Sequence, residues 1–128
     1  MQANENALNW FEIPANDVNR AQKFYETILD TKMAPLQEMM GMKMVSFPQD
    51  MGNGKASGAL VESPQHKPSM DGAVIYLNAN PDMQPVLDRI ESAGGKVLMP
   101  KTAISPEIGA MAFFVDSEGN KVALHSQN

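Results

Sequence analysis

Phe11-Glu12-Ile13-Pro14-Ala15-Asn16 and Ile75-Tyr76-Leu77-Asn78-Ala79-Asn80 stand 64 residues apart, and their likeness decides the fold. The same shift carries Ala59-Leu60-Val61 onto Ala123-Leu124-His125. Between these anchors both copies run through one order: an alternating strand, an amphipathic helix, then strands closed by a glycine-bearing turn. A repeated supersecondary unit limits the fold more than any single residue does. It also puts a site on the surface the two copies share.

Outward from the first anchor, Leu8–Pro14 alternates as a strand, with Trp10 and Glu12 on one face and Phe11 and Ile13 on the other. Asn16 or Asp17 supplies a helix N-cap. Val18, Ala21, Phe24, Tyr25, Ile28 and Leu29 follow at helical spacing and predict a core-facing stripe. Strands are expected around 33–36, 42–47 and 57–62, with a turn at Asp50-Met51-Gly52-Asn53-Gly54. Turn formers, His66 among them, fill a linker over 63–71.

The second anchor opens a strand over 73–79. Asp82 is placed to cap a helix with Pro85 in its first turn, where a missing N–H is tolerated. Val86, Leu87, Ile90 and Ala93 form its stripe, and Gly94-Gly95 ends it. Strands over 97–99 and 111–115 precede the Asp116–Asn120 turn, and 121–125 closes the copy. The expectation is an α+β domain of two tandem βαβββ modules, 7–62 and 72–126. Together they form a curved mixed sheet around a cleft, with helices on its outer face.

A chain of 128 residues with 43% hydrophobic content suits one domain with a real core. Net charge is −5 and the basic residues are scattered, which argues against a nucleic-acid surface. No apolar run approaches a membrane span. The start lacks the pattern of a secretory signal, so a cytoplasmic location is expected. The chain has no cysteine, which excludes disulfides and thiolate metal sites. Its eleven methionines suit core gap-filling better than an adaptable ligand surface.

Asn9–Pro14, Asp17-Val18-Asn19-Arg20-Ala21, Phe24-Tyr25, Ala93–Val97 and Phe114–Asn120 together resemble the vicinal oxygen chelate superfamily. That group includes glyoxalase I, bleomycin-resistance proteins and extradiol dioxygenases. The resemblance covers nearly the whole chain and implies paired βαβββ modules in a homodimer. It also implies metal ligands on the first and last strands of each module. Carried over, those positions hold Trp10, Ala59, Val74 and Ala123, none of which is a usual metal ligand. No metal or other cofactor is therefore expected, except a divalent ion through an unorthodox site.

Alternation directs Trp10, Glu12, Ala59, Val61, Tyr76, Asn78, Ala123 and His125 toward the cleft. Such an apolar wall with a few polar groups suits a small organic ligand. Glu12 is the candidate base, and His125 its candidate acid/base partner. The structural alternatives are a Glu12 carboxylate satisfied by a neighbouring strand or by Tyr76, and a His125 solvated near the terminus. Trp10 has a choice between stacking on a ligand, filling the cleft floor and meeting a second copy. Three functions stay open: metal-free binding of a small molecule, a divalent-metal lyase or isomerase of the glyoxalase I type, and metal-free acid/base chemistry by Glu12 and His125.

Overall fold

The structure is a computed structural model that describes residues 1–50 and 52–128. Trp10–Pro14 forms β1. Asp17 then caps α1 (Val18–Leu29) by accepting the backbone N–H groups of Asn19 and Arg20, both at 3.1 Å. The stripe Val18, Ala21, Phe24, Tyr25 and Ile28 is buried as its spacing requires. Asp30 ends the helix in the left-handed region, at φ 50°.

Three strands complete the first half: β2 (Gln37–Met39), β3 (Met42–Ser46) and β4 (Ser57–Glu62). The second half repeats the order with β5 (Tyr76–Asn78), α2 (Gln84–Ile90), β6 (Lys96–Ser105), β7 (Gly109–Val115) and β8 (Lys121–Ser126). Each half is a four-stranded mixed sheet, ordered β1-β4-β3-β2 and β5-β8-β7-β6. The parallel pairs also repeat at a shift of 64. Glu12 lies beside Ala59 and Ile13 beside Leu60, as Tyr76 lies beside Ala123 and Leu77 beside Leu124. The α+β class and the tandem modules are as the sequence indicates; the two sheets are not closed into a barrel.

Three strands differ by more than two residues from the sequence reading. The second strand is Gln37–Met39, not 33–36, because Met33 and Ala34 are tied elsewhere. The Met33 N–H donates to Glu26 and that of Ala34 to the Ser46 carbonyl. β6 runs on through Pro100 to Ser105, past the expected 97–99. It is an edge strand, and register shifts between Val97 and Thr102 accommodate the proline. The strand expected over 73–79 is confined to Tyr76–Asn78. In the turn expected over 50–54, Gly52 and Gly54 take positive φ, whereas Met51 lies outside the described residues.

One core joins both halves. It runs from Ile13, Val45 and Leu60 through Phe24, Tyr25 and Ile28 to Leu87, Ala112, Phe114 and Leu124. The helices lie on this side and pack against each other. On the opposite face of the first sheet, Met44, Ala59 and Val61 form a small separate cluster.

Candidate functional site

The second half supplies polar groups at both ends of α1. At the N-terminus, Glu118 Oε1 accepts the N–H groups of Asn16 and Asp17 at 2.9 and 2.8 Å, and its carboxylate takes a two-pronged bond from Arg20. Glu62 takes the N–H of Val18 at 2.9 Å. With the Asp17 cap, three carboxylates thus meet the positive end of the helix. Burial raises the Glu118 pKa, but the Arg20 bond and charge, with the Asp17 and Ser117 donors, outweigh it and leave the carboxyl below its ordinary value. At the other end, the Arg89 guanidinium donates twice to the Ile28 carbonyl, at 3.0 and 2.8 Å.

Between these ends, the buried Tyr25 hydroxyl donates to Asp116 at 2.7 Å. Burial, then the Asp116 charge and bond, push the phenol well above its ordinary pKa. The Asp116–Asn120 turn therefore joins the halves as well as closing a hairpin, since Asn120 also donates to the Pro14 carbonyl at 2.7 Å.

This docking leaves a cleft of about 1080 Å³ between the halves. Its wall is apolar at Phe11, Leu29, Phe47, Ile75, Leu77 and Val86. Asp30, Asn78, Asn80, Asp82 and Arg89 add polar groups. Asp82 is held below its ordinary pKa, first by the Gln84 N–H and then by the Lys101 hydrogen bond, and so presents a charge there.

This cavity is walled by the helix-side core, not by the sheet face to which alternation directs the candidate residues. Tyr76 and Asn78 line this cavity; Trp10, Glu12, Ala59, Val61, Ala123 and His125 do not. Ala59, Val61 and Ala123 are fully buried beside their strand neighbours. Glu12 and His125 share no hydrogen bond. The His125 Nε2 lies 2.6 Å from the carbonyl of Ile108, in the β6–β7 turn.

Glu12 pairs instead with the linker histidine. Its Oε1 is 2.8 Å from His66 Nε2, and its Oε2 accepts the Trp10 indole N–H at 3.2 Å. His66 Nδ1 in turn lies 2.7 Å from Ser63 Oγ. The Tyr76 alternative for Glu12 is thus replaced by a linker contact. Ser63 and His66 were hidden because both read as turn residues. Their three-residue spacing in a tight turn was the available signal.

At the four positions where the resemblance implies metal ligands, Trp10, Ala59, Val74 and Ala123 carry no oxygen or imidazole donor. Among the described residues, no three His, Asp or Glu side chains are grouped to hold an ion. The donor set does not fit a divalent metal.

The chain belongs to the glyoxalase/bleomycin resistance protein/dioxygenase superfamily, whose model matches residues 7–124. It is 31% identical over 119 residues to a glyoxylase-like domain-containing protein of Didymella fabae, with 91% of each chain covered. Its fold is similar to a glyoxylase/bleomycin resistance protein/dioxygenase domain from Frankia sp. EAN1pec, with a TM-score of 0.70 at 14% identity over 96% of this chain and 98% of that one. It is also similar to glyoxalase I from Zea mays, with a TM-score of 0.66 at 17% identity, covering 91% of this chain and 43% of the maize enzyme. No helix among the described residues is long and apolar enough to cross a membrane.

Proposed function

We propose that this chain binds a small organic molecule in the cleft between its halves, without a resident metal. The supporting observation is the cleft itself, a cavity of about 1080 Å³ lined by apolar side chains and several polar groups. That size and mixture are typical of small-molecule sites. The ligand class is a molecule with a ring-sized apolar body and a polar end. The body lies against Phe11, Phe47 and Leu77, and the polar end meets Asn78, Asn80 or Arg89.

A lyase of the glyoxalase I type has less support, because the positions the resemblance assigns to metal carry no donors. The homodimer implied by the resemblance belongs to this proposal also, and sedimentation velocity decides it.

The test is thermal-shift screening with small aromatic and aliphatic acids, amides and alcohols, all in excess chelator. Val74, 37% exposed on the cleft margin, is the residue to change. Hits should raise the melting temperature of the wild type in chelator, and Val74→Glu should weaken them about tenfold or more by placing a charge beside the apolar body. Stabilisation seen only when Ni²⁺ or Zn²⁺ is added, with turnover of methylglyoxal and glutathione, would replace this reading by the lyase.

A further inference from the structure

Ser63, His66 and Glu12 lie outside the cleft and form one hydrogen-bonded row. The Trp10 indole N–H is a donor only, so it marks Glu12 as an acceptor. Against a carboxylate, the 2.8 Å contact to His66 Nε2 is an N–H donated by the imidazole. In the neutral imidazole, His66 Nδ1 then carries the lone pair and accepts the Ser63 O–H at 2.7 Å. Ser63 Oγ also accepts the Gln65 N–H at 3.1 Å, which leaves its one O–H available for His66. Hydroxyl, imidazole and carboxylate are therefore arranged as in the resting state of a serine nucleophile with its base and orienting acid.

The row is partly exposed. Ser63 is half-buried, while Pro64 and Gln65 beside it are exposed. His66 and Glu12 keep 19% and 32% of their side-chain surface. The turn is held in place by the backbone pairing of Ser63 with His66.

We propose that this row is a metal-independent nucleophilic site for small esters, separate from the cleft and independent of what the cleft binds. Ser63 Oγ attacks the ester carbonyl carbon while its proton passes to His66 Nδ1. The carbon–oxygen bond to the leaving group breaks, and that oxygen departs with the proton. Water then attacks the acyl-serine, giving up a proton through His66, and releases the acid with Ser63 restored. Glu12 is a positioning residue: it holds the imidazole in the Nε2–H form.

A short-chain alkyl fluorophosphonate tests nucleophilicity without a known substrate. Ser63 Oγ displaces fluoride at phosphorus, and intact-mass and peptide mass spectrometry read the adduct. The expected result is one adduct per chain, on Ser63, absent in Ser63→Ala. Its rate should fall by about a hundredfold in His66→Gln and in Glu12→Gln, the low end of what a positioned base supplies. Long-range ¹⁵N–¹H spectra of the imidazoles give a second reading: His66 should be protonated at Nε2 in the wild type, and its tautomer population should change in Glu12→Gln. No adduct on Ser63, equal labelling in His66→Gln, or a wild-type His66 protonated at Nδ1 each overturn the proposal. The tautomer reading stands even if a variant fails to fold.

Discussion

At the residue scale, Glu118 shows how a turn residue becomes a structural anchor. Its side chain is fully buried against Arg20 and accepts two N–H groups at the start of α1. Its folded pKa lies below the ordinary 4.5, so its contribution is complete above that value and is lost as pH falls through the lower folded value. Glu118→Gln should cost about 2 kcal/mol at neutral pH, the scale for losing a buried charged acceptor. The difference from wild type should shrink as the pH drops below 4.5. Urea midpoints between neutral and acid pH read both; a constant difference at every pH would show that the charge is not what matters. Nothing in Asp116-Ser117-Glu118-Gly119-Asn120 as a sequence announces this partnership. The partners Asn16, Asp17, Arg20 and Tyr25 lie about a hundred positions away, and local pattern carries no information about such a contact.

At the element scale, local pattern was informative wherever local forces decide. The α1 stripe, the Asp17 cap and the glycine after α2 follow from helical period and capping chemistry. The ends of β2 and β6 do not, because side-chain and edge contacts fix them: Glu26 takes the Met33 N–H, and bulges carry β6 past Pro100. Gly95 links this scale to the next. A Cβ there would stand 2.6 Å from the Val115 carbonyl oxygen and 2.8 Å from the Phe24 ring. Its bareness therefore lets the segment after α2 pack closely on α1. Gly95→Ala should lower stability by about 1–3 kcal/mol through overpacking. An unchanged urea midpoint would mean that this contact has slack.

At the scale of the whole molecule, the repeat made the architecture legible and left the site half legible. The shift of 64 recurs in the strand registers, Glu12 with Ala59 and Tyr76 with Ala123. Period-two alternation correctly grouped residues within each sheet, but it carries no information on how two sheets sit against each other. Tyr76 and Asn78 therefore reach the cleft, while His125 turns to the Ile108 carbonyl and Glu12 to His66. Phe11, Phe47 and Arg89 line the cavity because the two halves meet there. Symmetry breaks most where chemistry is available: Glu12 corresponds to Tyr76, and Val61 to His125.

The most direct measurement is chemical-shift mapping on ¹⁵N-labelled protein, titrated in chelator with a compound that stabilises it. The account predicts saturable shifts centred on Phe11, Leu29, Phe47 and residues 73–80, with the Arg89 side chain among them. Shifts centred instead on Trp10, Ala123 and His125, or shifts that require an added divalent metal, would contradict it.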